Sequence, residues 1–183
     1  MEVELDREAA LLETILFLES EPLDLAALSR ISGLGKDAAE AALSQLRDHC
    51  SQMHRGLEPV ELAGGWILAP KKDLWENLRD RYGKKNEQKL SRAALETLSI
   101  VAYSQPVTRA EIEAIRGVSA DNMIRFLLEK NFVQETGKKD APGRPIQYGT
   151  TREFLKFFRL ASIADLPRLD ELERDRFELE GGD

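Results

Sequence analysis

The stretch that decides the fold runs from Leu11 to Leu43, LLETILFLESEPLDLAALSRISGLGKDAAEAAL, because its pattern returns later in the chain. The second copy runs from Ala94 to Leu128 and reads ALETLSIVAYSQPVTRAEIEAIRGVSADNMIRFLL. After one inserted residue the copies stay in register, with Pro22 opposite Pro106. A separation of about 84 positions is too long for a solenoid repeat and suits two copies of a small domain. The alternative is two unrelated helical stretches with a common apolar rhythm.

The first copy predicts three helices and a β-hairpin. Apolar residues at helical spacing predict a helix that ends before Pro22, and Asp24 is a suitable N-cap for the second helix. Gly33 is placed to end that second helix in a left-handed conformation, and a third helix follows. The alternating segments Leu57–Leu62 and Trp66–Ala69, around a glycine pair, predict a hairpin. This order of elements is that of a winged-helix domain.

The second copy predicts the same order. Thr108 and Glu111 have the spacing of a capping box, and Thr150 and Glu153 repeat that spacing before a helix rich in phenylalanine. The two segments that flank the glycine- and proline-rich loop 137–145 are the predicted arms of a second hairpin. The loop itself is typical of a wing tip.

These patterns predict a mainly α fold with small β-hairpin wings (α+β), built as two tandem winged-helix domains. Polar and charged segments set the expected boundaries, since domains are joined by exposed linkers of such composition. We expect a first domain, a linker, a second domain and an acidic, flexible tail at residues 1–83, 84–90, 91–164 and 165–183, respectively.

Charge is divided unevenly along the 183 residues. The net charge of -7 opposes any approach to a polyanion across the whole surface, so nucleic-acid contact is expected to be local, weak or indirect. The balance is about -5 for residues 1–90, about +3 for 91–164 and about -5 for 165–183. Without a signal-peptide pattern or a long apolar run, we expect a cytoplasmic location and no membrane contact.

Reactive constellations are lacking in the sequence, which has no phosphate-binding loop and no nucleophile elbow. Cys50 is the single cysteine, and the two histidines, His49 and His54, lie beside it. These three residues are an alternative metal site, but a structural zinc usually needs four ligands and Cys50 fits the apolar stripe of its helix. We therefore predict no enzyme activity, no catalytic residues, no cofactor and no metal.

A DNA-binding regulator is the serious alternative, because winged-helix proteins often place their third helix in the major groove. The outward positions of both third helices mix basic with acidic residues, as Arg47 does with Asp48 and Arg125 with Asp121. Such faces make sequence-specific reading doubtful. On the second wing, however, Lys138, Lys139 and Arg144 cluster and could contact phosphate, an acidic partner or only solvent.

The run GRPIQYGTTREFLKFFRLASIADLP, from Gly143 to Pro167, resembles a segment near the C-terminal end of proteins of the segregation and condensation protein B family. LSRAALETLSIVAYSQPVTRAEIEAIRGV, from Leu90 to Val118, resembles that family's entry into its second domain. With the repeat, the likeness covers about Arg7 to Pro167. It implies a homodimer formed mainly through the N-terminal domain, a kleisin subunit as partner, an SMC ATPase reached through the kleisin, and association with the nucleoid.

The predicted function is therefore that of a non-enzymatic adaptor in chromosome condensation and segregation, with a winged-helix transcriptional regulator as the alternative. Aromatic and arginine side chains are the usual anchors of protein interfaces. The candidates for partner contact are Gly143, Arg144, Pro145, Tyr148, Phe154, Phe157 and Phe158. The candidates for the dimer interface are Leu11, Ile15, Leu18 and Trp66. Each of them could equally serve in ordinary packing.

Overall fold

The computed structural model describes residues 6–82 and 90–168. Most of the predicted linker, residues 84–89, and residues 169–183 of the predicted tail lie outside the described residues. The described residues form two modules, each with its own apolar core.

The first module consists of three helices, a hairpin and a closing helix. These are α1 (Arg7–Leu18), α2 (Leu25–Ser32), α3 (Lys36–Cys50), β1 (Leu57–Leu62), β2 (Gly65–Pro70) and α4 (Lys72–Tyr82). The side chain of Asp24 accepts a hydrogen bond from the Ala27 amide at 2.7 Å and so caps α2, as predicted. Gly33 ends α2 with φ 75°, in the left-handed region that glycine enters at little cost.

The second module repeats this order and adds a short strand. It contains α5 (Arg92–Ser104), β3 (Val107–Thr108), α6 (Arg109–Arg116), α7 (Asp121–Glu129), β4 (Val133–Lys138), β5 (Ile146–Thr150), α8 (Arg152–Phe158) and a 3-10 turn (Ile163–Asp165). The strands form an antiparallel sheet in the order β3, β5, β4. The predicted fold class, two tandem winged-helix domains, is confirmed.

The capping boxes had different outcomes. Thr108 and Glu111 form the predicted box at the start of α6. The box predicted for Thr150 and Glu153 is wrong, because Thr150 lies in β5 and its neighbour Thr151 caps α8 by accepting from the Phe154 amide. The Glu153 carboxylate instead accepts a hydrogen bond from Lys156 at 2.7 Å.

The two modules match each other in three dimensions as well as in sequence. Gly117 ends α6 with φ 72°, at the position that Gly33 has in α2. Ahead of the second helix of each module, one residue pairs with the last wing strand. That pair is Leu23 with Trp66 in the first module and Val107 with Tyr148 in the second. Trp66 and Tyr148 are therefore equivalent positions.

The second module extends beyond the boundaries predicted for it. Leu90, placed in the linker, packs against its core, and so does Leu166, placed in the flexible tail. The Tyr103 hydroxyl donates a hydrogen bond of 2.7 Å to the Pro167 carbonyl. Apolar packing of Leu166 and this hydrogen bond therefore join the start of the predicted tail to the second module.

The two modules contact each other through the hairpin turn of the first and the end of α8 in the second. The Ala63 amide donates to the Leu160 carbonyl and the Gly64 amide donates to the Ala161 carbonyl, both at 2.8 Å. The Arg152 guanidinium donates to the carbonyls of Ala63 and Pro22, at 3.2 and 3.4 Å. We call this set of contacts the inter-module contact.

Charged side chains surround the inter-module contact. Lys156 of α8 forms an ion pair with Glu21 of the first module. The Arg159 guanidinium lies over the ring of Trp75 in α4, with its central carbon 5.7 Å from the ring centroid. Backbone, charged and aromatic groups therefore all take part in positioning one module against the other.

Candidate partner-binding surfaces

A groove in the second module brings together four of the predicted partner-binding residues, Gly143, Arg144, Pro145 and Tyr148. Its volume is about 480 Å³. The start of α6 forms one wall, the start of α7 a second, and the base of the wing with β5 the third. The remaining lining residues are Arg109, Ala110, Asp121, Lys138 and Ile146. We call it the second groove.

The wing loop that carries Gly143, Arg144 and Pro145 is closed by its own backbone. The Lys139 amide donates to the Pro145 carbonyl at 2.9 Å, and the Arg144 amide donates to the Ala141 carbonyl at 2.8 Å. Gly143 has φ 82° and Arg144 has φ 41°, both in the left-handed region. Arg144 is held in a conformation that non-glycine residues seldom adopt, at the rim of the groove.

Asp121 at the start of α7 forms ion pairs with two arginines, Arg109 and Arg125. Its carboxylate accepts hydrogen bonds from Arg109 at 3.0 Å and from Arg125 at 3.1 Å. The hydrogen bond that Arg109 donates to Asp121, with the nearby charge of Glu113, raises the pKa of Arg109. The positive charges of Arg109 and Arg125 are therefore partly balanced by Asp121 at an exposed site.

Two cations of the second groove, Lys138 and Arg144, differ from Arg109 in their ion pairing. Within residues 6–82 and 90–168, neither Lys138 nor Arg144 has an ion pair. Neighbouring Lys139 is paired with Glu111 and stays outside the groove lining. Tyr148 on the floor is half-buried, and burial raises the pKa of its phenol. The groove thus has a half-buried aromatic floor and an excess of positive charge.

The three predicted phenylalanines lie elsewhere, in and beside the core of the second module. Phe154 is only 2% exposed and is a core residue, which leaves it no surface for a partner. Phe157 packs edge-on against Phe132, with ring centroids 5.0 Å apart, and is half-buried. Phe158 is the exposed residue of the three, and its ring packs against those of Phe154 and Phe157. The prediction of partner contact stays open for Phe157 and Phe158 and loses its physical basis for Phe154.

The four residues predicted for the dimer interface also differ in how far they are exposed to solvent. Leu18 is 74% exposed and Leu11 is exposed on the same helix, whereas Ile15, at 7%, belongs to the first core. Trp66 is half-buried under the Arg47 guanidinium, whose central carbon lies 5.3 Å from the ring centroid. Ile15 is therefore a packing residue, while the two leucines remain candidates for an interface.

Sequence reasoning missed Phe17, which is 71% exposed beside Leu18 at the end of α1. The available signal was the number of large apolar residues in this helix, which exceeds what one helix face can bury. The groove residues Arg109 and Lys138 were also missed as part of a site, because they become neighbours of Tyr148 only in the folded chain.

The metal alternative at His49, Cys50 and His54 finds no support in the geometry. Cys50 is fully buried in the first core, and burial raises the pKa of its thiol. In the part of the chain that the structure describes, no group of three or more His, Cys, Asp or Glu side chains could hold a metal ion. Across the same residues, no helix has both the length and the apolar character that a membrane crossing requires.

Comparisons with known proteins identify similar sequences. The sequence model of the family described as segregation and condensation complex subunit ScpB matches residues 10–169. Relatives named segregation and condensation protein B include one from Desulforamulus reducens, 41% identical over 166 residues and covering 91% of each chain. Another, from Clostridium tetani, is 43% identical over 164 residues, covering 89% of this chain and 86% of the relative.

Two solved structures are also similar in sequence. The crystal structure of ScpB from Mycobacterium tuberculosis is 30% identical, covers 86% of this chain and 98% of its own, and has a TM-score of 0.39. A structure titled as a dimer of the ScpB N-terminal domain complexed with ScpA peptide is 29% identical, covers 43% of this chain and 91% of its own, and has a TM-score of 0.40. The family model, which matches residues 10–169, extends over both modules, whereas the N-terminal-domain structure matches less than half of this chain.

Proposed function

The chain belongs to the segregation and condensation protein B family, and from this premise we propose that it is a non-enzymatic adaptor of a bacterial SMC complex. In this proposal the chain dimerises, binds the kleisin subunit and thereby joins the SMC ATPase that organises the chromosome. The observation that carries the proposal is the family match over residues 10–169, which takes in both modules rather than one shared winged helix. The expected place of action is the cytoplasm, at the nucleoid.

A division of labour between the modules is part of the proposal. We assign dimerisation to the first module, within residues 1–83, where Phe17 and Leu18 expose large apolar side chains side by side. We assign partner binding to the second module, within residues 91–164, which contains the second groove. Exposed apolar side chains and grooves with a few placed charges are features that protein interfaces use.

The electrostatics of α7 favour the adaptor over the DNA-reading regulator. A recognition helix needs basic or amide side chains free to reach base edges and phosphates. Here Asp121 engages both Arg109 and Arg125. The regulator hypothesis predicts tight binding to one duplex sequence at moderate salt, whereas the adaptor should bind duplexes weakly and without sequence preference.

Size-exclusion chromatography with light scattering tests the adaptor. The protein alone should have the mass of a dimer, and with the kleisin of the same cell it should form a stable complex of higher mass. A monomer that ignores the kleisin would contradict the proposal. Fluorescence anisotropy with random 20-base-pair duplexes over a salt series tests the regulator, which requires at least one sequence to be bound much more tightly than the rest.

A further inference from the structure

Each module has a groove at the equivalent position of its fold. The lining residues of the two grooves can therefore be compared position by position. The first groove has a volume of about 500 Å³ and is lined by Leu25, Asp37 and Trp66, among others. The equivalent residues of the second groove are Arg109, Asp121 and Tyr148. Each groove thus lies between the starts of the second and third helices and an aromatic residue of the last wing strand.

The two grooves differ in the sign of the excess charge among their lining residues. Among the residues that the structure describes, the first groove is lined by Asp37 and Glu40 and by one cation, Arg47, which lies over the Trp66 ring. The second groove contains three cations against one carboxylate. Since Asp121 already accepts from Arg109, the remaining positive charge is that of Lys138 and Arg144. The two grooves therefore cannot suit the same ligand.

The lining of the second groove favours a chain segment over a small anion. Its lining combines the apolar surfaces of Ala110, Pro145 and Ile146 with the ring of Tyr148. Lys138 and Arg144, for which the described part of the chain offers no ion pair, belong to the end of β4 and to the wing loop. A segment with acidic side chains next to an aliphatic one would bring opposite charge to the cations and cover the apolar floor.

We propose that the second groove binds an acidic segment of the partner polypeptide, with its carboxylates at Lys138 and Arg144 and an aliphatic side chain against Tyr148 and Ile146. The proposal rests on the adaptor function and adds to it the chemistry of the bound segment. A nucleic acid is the disfavoured occupant, because a phosphate backbone would leave the apolar surfaces of Ala110, Pro145 and Ile146 uncovered.

A pair of charge-reversed double variants tests the proposal by calorimetric titration with the intact kleisin. Lys138→Glu/Arg144→Glu should weaken binding by about tenfold or more, because two attractive contacts become repulsive. The matched control is Arg92→Glu/Lys130→Glu, which makes the same change in net charge at exposed positions outside the groove. The control should change the affinity less than about twofold. Thermal unfolding of both variants checks that the fold is intact.

A second readout does not depend on the fold of the charge variants. A photo-crosslinking amino acid at Ile146 of the otherwise unchanged protein should join the kleisin within a stretch rich in Asp and Glu. Unchanged affinity of Lys138→Glu/Arg144→Glu, or crosslinks mapped to a basic or purely apolar stretch, would overturn the proposal. So would duplex DNA binding that is lost in this variant while kleisin binding is kept. A wild-type protein that binds no kleisin contradicts the adaptor function itself, and the groove proposal with it.

Discussion

Phe17 and Leu18, at the end of α1, both expose a large apolar side chain to solvent. Both belong to a helix in which Leu12 and Leu16 are buried, yet both are more than 70% exposed. Leaving two large apolar side chains in water forgoes about 1.5–3 kcal/mol each. That cost is recovered if a second surface covers them, as in the proposed dimer.

Replacing both with glutamate should therefore weaken the dimer without unfolding the chain. For Phe17→Glu/Leu18→Glu we expect the dimer dissociation constant to rise by at least about tenfold, because each charge would be buried unpaired. Light scattering over a dilution series measures it. Met53→Glu is the control, since Met53 is a fully exposed apolar residue of the first module outside α1. A double variant that stays as dimeric as the control would place the interface elsewhere.

Gly33 and Gly117 are helix-ending glycines whose backbone conformation would strain a side chain. Both have φ above 70°, and a Cβ at either would meet nothing within 4 Å, so the cost of a side chain there is conformational rather than steric crowding. Gly33→Ala and Gly117→Ala should each lower the free energy of unfolding by about 1 kcal/mol. Gly33→Asn should lose less, because asparagine tolerates the left-handed region. Urea unfolding that shows no loss for alanine would contradict this.

At the scale of the element, the start of α6 depends on one carboxylate. Glu111 accepts hydrogen bonds from the Thr108 amide and hydroxyl, both at 2.8 Å, and from Lys139 of the wing. The Lys139 hydrogen bond first, and then those from Thr108, lower the pKa of Glu111 from 4.5 to about 2. One side chain thus caps a helix and ties the wing to it.

This depressed pKa predicts a pH dependence of stability. The folded state keeps Glu111 ionised below pH 4.5 while the unfolded chain takes up the proton, so its contribution is complete above 4.5 and is lost as the pH falls towards 2. Wild type should exceed Glu111→Gln in melting temperature above pH 4.5, and the difference should shrink towards pH 2. Glu129→Gln, at an exposed position of α7, is the control. A difference that is constant with pH would contradict the assignment.

At the scale of the whole molecule, the inter-module contact sets how the two winged helices face each other. Arg152 is central to it, because one guanidinium satisfies the Ala63 and Pro22 carbonyls of the first module. Hydrogen bonds from a charged donor are worth about 1.5–3 kcal/mol. With Lys156 on the next turn of α8 pairing with Glu21, much of the contact depends on two side chains.

Removing both side chains should free the modules from each other. For Arg152→Ala/Lys156→Ala we expect the radius of gyration from small-angle X-ray scattering to increase by on the order of 2 Å, while circular dichroism stays unchanged. Arg92→Ala/Lys130→Ala removes the same charge at exposed positions and should leave the scattering as in wild type. Identical scattering from all three proteins would show that the backbone hydrogen bonds of the hairpin turn suffice.

The amino-acid sequence alone was enough for the features whose causes are local. The caps at Asp24 and Thr108 and the glycine at position 33 act within one helical turn, and the repeat follows from comparing two stretches of the same chain. The fold class followed from these signals. The box assigned to Thr150 failed because two adjacent threonines offer the same local chemistry, and pairing of Thr150 in β5 decided between them.

Features that depend on contacts between residues far apart in the chain were determined only by the tertiary structure. The two-residue strand β3 exists because Val107 pairs with Tyr148, forty-one positions later. The same holds for the second groove, whose walls come from α6, α7 and the wing, and for Arg152, whose acceptors lie in the other module. No local pattern encodes such neighbours, because packing of the whole core determines which of the many exposed charges and apolar residues come within reach of one another.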